Sequence, residues 1–289
     1  MKVLIVLLIL SLLGNAFGLF VLYKFMQKDK YLQEVMSDLQ RKDEVIAKVN
    51  RDLDTRMVFV HHSVGRNWLN EGGLRDSLVS RGIAVRSVTY GCPIGENTDM
   101  RDWLPKFRDH LEQIIRFDQA PDIPFGGTEE NDIIMFKSCY PNSEIAADGS
   151  EPGDPNVPTA TVTNYEAVLG SIEPFMAEHP HKLFIYVTAP PLASEATTPE
   201  SAARARKFNQ WVASEFVKQY TAQTGKDNLR VFDLYDVLSD PTTNCLRESF
   251  KTASGDSHPN RAGSRAATKA FMKFLDENDI RAGHLPTMM

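Results

Sequence analysis

Apolar and polar positions fall into three regimes along this chain. From Val3 to Tyr23 the residues are almost continuously apolar, broken only by Ser11, Gly14, Asn15 and Gly18, about the length a helix needs to cross a bilayer. Between 24 and 56 the seam positions Leu32, Met36, Leu39, Asp43, Ile46, Asn50 and Leu53 alternate four and three apart among charged neighbours, which predicts a helical stalk. From 57 to 289 short apolar runs alternate with amphipathic ones. The runs predict strands at Met57–His62, Ala84–Thr89, Asp132–Phe136, Leu183–Val187 and Arg230–Leu234, and the amphipathic stretches predict helices near Arg66–Ser80, Arg101–Arg116, Asn164–Glu178, Pro199–Gln223 and Arg261–Glu277. Such alternation predicts an α/β domain, a three-layer α/β/α sandwich around a five-stranded parallel sheet. Only Tyr140–Thr163, rich in Pro, Gly, Asp and Asn, is a long connection, of the kind that carries function or moves.

The first segment, 1–23, reads as a transmembrane signal anchor. Ala16-Phe17-Gly18 offers small residues of the kind a signal peptidase reads, so cleavage after Gly18 is the alternative to an uncleaved anchor. Lys2 faces Lys24, Lys28 and Lys30 across the span, a charge count that keeps the large domain inside; the short amino-terminal side and the chemistry below favour a periplasmic or extracellular domain. The stalk either pairs weakly with a second copy as a short coiled coil or stands as a single solvated helix. With 42% hydrophobic and 24% charged residues and a net charge of −6, the remainder has ordinary globular composition and no electrostatic footprint for nucleic acid. Cys92, Cys139 and Cys245 carry no metal spacing, and their odd number excludes a fully paired internal set. Cys92 and Cys139 both follow predicted strands, and either pair or stay buried thiols.

Candidate chemistry concentrates at two places. Ser63 closes the strand Val58-Phe59-Val60-His61-His62-Ser63, with Gly65 and a helical pattern after it, so its hydroxyl is expected at the carboxyl edge of the sheet, where α/β ligand sites lie. Near the other end stands Asp256-Ser257-His258-Pro259. A lone serine before a helix reads as an N-cap, but a hydroxyl, a base within reach and a group that orients the base make a nucleophilic site.

Taken in order, Ser63, Gly91 in Tyr90-Gly91-Cys92-Pro93, Thr188-Ala189-Pro190-Pro191, and Asp256-Ser257-His258-Pro259-Asn260 with Gly263 beyond resemble the blocks of the SGNH (GDSL-like) hydrolase superfamily. The resemblance runs through nearly all of Met57 to Phe274. It departs in three places: the usual Gly-Asp before the serine is His61-His62, the Gly-x-Asn-Asp turn is replaced by Lys137-Ser138-Cys139-Tyr140-Pro141-Asn142-Ser143, and the aspartate stands two residues before the histidine, with Gly255 at the usual third. The resemblance implies a flavodoxin-like SGNH fold and a serine esterase or deacylase that needs no cofactor and no metal. Ser63 would be the nucleophile, His258 the base and Asp256 its orienting acid, with the Ser63 and Gly91 N–H groups and the Asn142 amide forming an oxyanion hole.

Strand alternation places one of His61 and His62 in the interior and leaves the other, assigned to His62, to line the site; neighbouring positions face opposite ways, which argues against a metal pair. Lys137 binds a substrate carboxylate or solvates a loop. Trp68, Trp103 and Tyr140 fall just after the block positions, where aromatic faces stack on sugar rings or pack as core, while Trp211 in mid-helix reads as core. Export and these aromatics make an O-acetylated glycan the expected ester substrate, with a lipid or small acyl ester as the alternative. A reading of another class, a catalytically silent glycan- or protein-binding module tethered to the membrane, fits the altered blocks.

Overall fold

A computed structural model describes residues 53 and 55–286. The expected membrane anchor, and the expected stalk up to residue 52, lie outside the described residues. Thr55 and Arg56, counted with the stalk in the sequence, open the first strand instead. No described helix is long and apolar enough to cross a membrane.

Elements follow in the order β1 (Thr55–Val60), α1 (Ser63–Asn70), α2 (Leu74–Val79), β2 (Ile83–Val88), α3 (Trp103–Ile115), the hairpin β3 (Phe117–Gln119) and β4 (Ile123–Pro124), β5 (Ile133–Lys137), α4 (Val162–Ala177), β6 (Leu183–Val187), α5 (Pro199–Trp211), α6 (Val217–Thr224), β7 (Leu229–Phe232), α7 (Leu234–Leu238) and α8 (Arg261–Glu277). The expected helix over Arg66–Ser80 is two helices, because Gly73 adopts a left-handed conformation (φ 73°) between them. The expected helix over Pro199–Gln223 is continuous but passes through a π-helical turn at Val212–Phe216.

Five strands form one parallel sheet in the order β2-β1-β5-β6-β7. Both faces are covered, which is why the strands read as unbroken apolar runs. Met57, Phe59, Ile133, Met135 and Ile185 pack on one face with Trp68, Leu78, Phe271 and Leu275 of α1, α2 and α8. Val58, Val60, Ile134, Phe136 and Tyr186 pack on the other with Phe107, Leu169, Phe208 and Tyr220 of α3 to α6. Strand order reverses at β1: β2 lies to one side and β5, β6 and β7 to the other. The crevice at the carboxyl ends of β1 and β5 is therefore the topological switch point, where open α/β sheets bind ligands.

Candidate active site

Ser63 emerges from β1 after two histidines with different fates. His61 continues the alternation of Met57 and Phe59 and is fully buried. Its Nδ1–H donates to the His62 carbonyl at 2.8 Å and its Nε2 accepts from the Ser87 hydroxyl at 2.8 Å. Burial pushes its pKa down to about 3, so it is a neutral core imidazole. The first turn of α1 crosses directly over this ring, and the crossing residue is Gly65. Ser63 is the first residue of α1 and the helix has no side-chain cap; orphan amides at a helix start favour negative charge.

His258 arrives from the loop before α8. Asp256 Oδ1 accepts two hydrogen bonds from it, one from the backbone N–H at 2.9 Å and one from ring Nδ1–H at 2.7 Å. The backbone bond, followed by the ring bond and the imidazole charge, holds the Asp256 pKa below the ordinary carboxylate range. A carboxylate only accepts, so the proton sits on Nδ1 and Nε2 is an acceptor. It stands 2.8 Å from Ser63 Oγ. Ser257, between the two, turns inward, and its Oγ accepts from the Ala193 N–H at 2.9 Å, tying the loop to the segment after β6. Asn260 caps α8 through the Gly263 N–H at 3.0 Å, which fixes the other end.

The expected oxyanion donors are arranged less simply. Gly91 has φ +86°, a conformation that favours glycine, and its N–H donates to Glu96 Oε1 at 2.8 Å. The Asn142 side chain is engaged elsewhere: its carbonyl accepts from the Met100 N–H at 2.8 Å, and its amide donates to Asp99 Oδ1 at 2.9 Å and to the Cys139 carbonyl at 3.2 Å. Those bonds pin the 99–100 segment to the turn after β5. The side chain that β5 delivers to the serine is Cys139, whose Sγ lies 3.7 Å from Ser63 Oγ. All three cysteines are free buried thiols, so Cys92 and Cys139 are unpaired. Cys139 stands two residues beyond the end of β5, the strand next to β1; that adjacency was the signal available for it.

Three expected substrate contacts are core residues. Trp68 packs against Phe59, Phe232 and Phe271 and donates its indole N–H to Thr268 Oγ1 at 3.0 Å. Trp103 packs against Phe107 and Phe136 and donates to Ser138 Oγ at 2.8 Å. Lys137 is fully buried with no hydrogen-bond partner for Nζ, reaching neither a loop surface nor open solvent, and desolvation lowers its pKa. Tyr140 does flank the site, its ring edge-on to His258 at 4.9 Å between centroids. His62 is half-buried; Nε2–H donates to the Gly95 carbonyl at 2.9 Å and its ring stacks on Tyr90 at 4.0 Å. Tyr90 was not singled out in the sequence.

A cavity of about 190 Å³ lies nearby between Asp99, Arg101, Pro141, Val157 and Tyr165, but neither Ser63 nor His258 lines it. Among the described residues no cluster of His, Cys, Asp and Glu is arranged to hold a metal ion. The Ser63, His258 and Asp256 side chains thus form one hydrogen-bonded chain beside the carboxyl end of β1, at the switch point of the sheet.

No family model and no curated protein matches the chain. Solved structures similar to it include a proposed acylhydrolase from Bacteroides fragilis, 16% identical with a TM-score of 0.47 over 81% of this chain and 95% of that one. A GDSL-like lipase from Bacteroides thetaiotaomicron is 14% identical with a TM-score of 0.45 over 78% of this chain and 89% of that one. A gut microbial diltiazem-metabolizing enzyme is 13% identical, with a TM-score of 0.44 over 76% of this chain and 46% of that one. At identities and TM-scores this low the likeness carries no argument about activity, which rests on the geometry above.

Proposed function

We propose that this protein is a serine esterase or deacylase acting on a carboxylic ester. The observation that carries the reading is the unbroken chain from Ser63 Oγ to His258 Nε2 at 2.8 Å and from His258 Nδ1 to Asp256 at 2.7 Å. Ser63 Oγ attacks the ester carbonyl carbon while its proton passes to Nε2, and Asp256 stabilises the imidazolium that results. The oxyanion forms at the start of α1, whose first residue is Ser63; each backbone donor of this kind is worth about 2.7–4 kcal/mol of transition-state stabilisation. Collapse expels the alcohol with the proton held on His258. Water, deprotonated by the same imidazole, then releases the acid and restores Ser63.

A fluorophosphonate probe tests this. It is expected to label Ser63 in the wild-type protein and to leave Ser63→Ala unlabelled, with short-chain nitrophenyl ester hydrolysis lost in parallel. A second reading, a binding module with a silent site, is favoured by one observation: the Gly91 N–H is held by Glu96 and the Asn142 amide is spent on Asp99 and Cys139. An unlabelled wild-type serine would select it.

A further inference from the structure

Among the described residues Tyr90 is the only exposed aromatic side chain, 49% accessible. One of its faces is stacked on His62 with centroids 4.0 Å apart and planes 25° from parallel. His62 is itself fixed through the Gly95 carbonyl, so Tyr90 is a braced ring with one face to solvent. A braced ring loses little rotamer entropy when something covers it. Its position is not incidental: Tyr90 precedes Gly91, leans on the residue before Ser63, and lies within electrostatic reach of Tyr140, which stands against His258.

The rim around it is acidic. Glu96 and Asp99 are the carboxylates that act on His62, with buried Lys137 as the opposing cation, and Asp256 holds the His258 ring that meets the serine. Carboxylates accept from hydroxyls and repel other anions, and the net charge of −6 adds to that repulsion. A pyranose ring presents a C–H face suited to an open aromatic ring and hydroxyl edges suited to carboxylates. We infer that the open face of Tyr90 is a sugar subsite that seats the ring of an uncharged O-acylated glycan with its ester over Ser63. The chemistry of this assignment rests on the esterase reading; the binding does not.

Saturation-transfer NMR on Ser63→Ala with methyl 6-O-acetyl-glucopyranoside tests the binding without turnover. Ring C–H protons are expected to receive saturation, Tyr90→Ala in the same background is expected to weaken binding about tenfold, and Tyr90→Phe is expected to retain it. In the catalytic background, the ratio of kcat/KM for that sugar ester to kcat/KM for ethyl acetate is expected to fall about tenfold in Tyr90→Ala, chiefly through KM. Absence of sugar binding, binding indifferent to Tyr90→Ala, an equal loss on both esters, or tighter binding of the matching uronate would each overturn the subsite. A protein that binds the sugar through Tyr90 yet hydrolyses neither ester would overturn the esterase reading and leave the subsite standing.

Discussion

Replacing Gly65 with alanine strikes the place where the first turn of α1, which opens on Ser63, meets the buried His61 ring. A Cβ at 65 would stand 2.5 Å from His61 Cβ and Cγ and 2.7 Å from Nδ1, so one partner must retreat by the better part of an ångström. Neither is free to do so. His61 is fully buried and held by two hydrogen bonds, and α1 is held by Trp68 and Leu69 in the core below. Overpacking of this kind costs about 1–3 kcal/mol, and for a domain of this size each kcal/mol lowers Tm by about 2–4 °C. A loss of about 2–12 °C by scanning calorimetry is expected. If the helix is what yields, Ser63 moves away from His258, and a misplacement of about 1 Å costs about a hundredfold in rate, read as slower fluorophosphonate labelling. Room returns only when the His61 Cβ goes with its ring: in the double variant Gly65→Ala/His61→Gly the two changes are expected to couple favourably by about 0.5–3 kcal/mol. A Gly65→Ala protein that melts with the wild type and labels at its rate would refute the packing argument.

Ser63→Ala and His258→Ala are each expected to remove nearly all esterase activity, with the double variant scarcely worse, since such residues act as a unit; additive losses in turnover would count against the chain. Asp256→Asn is expected to lower turnover sharply while the fold stays intact. Because the His258 bonds depress the Asp256 pKa, its contribution is present above the ordinary carboxylate range and is lost as pH falls through the lower folded value, so the difference in Tm between wild type and Asp256→Asn should shrink from pH 5 to pH 3. Glu173, 3% exposed on α4, runs the other way: burial raises its pKa from 4.5 to about 7. Stability tied to its protonated form is full below the unfolded value and is lost as pH rises through about 7, by up to about 3 kcal/mol; urea unfolding at pH 5 and pH 8 should show that decline in wild type and not in Glu173→Gln, and parallel declines would count against it. Residues 3–23 are expected to hold the full-length protein in membranes through carbonate extraction, whereas amino-terminal sequence beginning at Leu19 would establish cleavage.

Most of the domain was legible because burial on both faces of a parallel sheet leaves an unambiguous mark. Each strand of the five-stranded sheet lies within two residues of where its apolar run put it, as with Leu183–Val187, and Arg261–Glu277 is the helix its amphipathic pattern drew, while the hairpin of β3 and β4 was not expected. The break between α1 and α2 was also written, in Gly72-Gly73, but periodicity on either side of it concealed the break. The π turn at Val212–Phe216 has no local residue that announces it. Trp68 was misplaced for a geometric reason. It follows Ser63 by five residues, which on a helix is about 140° around the axis, so closeness in sequence to the serine turned its ring toward the core.

The same distinction between position and direction settles the two irregular blocks. An aspartate two residues before a histidine looks too close to orient the ring, yet Asp256 reaches back to the i+2 amide in the manner of an Asx turn, and the oxygen so placed also receives Nδ1–H. The turn is what converts the short spacing into a usable one. After β5 the reverse happens. Asn142 has the right chemistry for an oxyanion donor, but it sits in the 3-10 turn Tyr140–Ser143, where its side chain closes on Asp99 and Met100. Strand β5 ends beside β1, so the residue delivered to Ser63 is the one two places on, Cys139, and a thiol is only a weak donor. With Gly91 held by Glu96, the helix-start amide of Ser63 is the donor that needs no rearrangement. Any substrate whose oxyanion is to gain a second must draw the Gly91 N–H away from a carboxylate that already satisfies it.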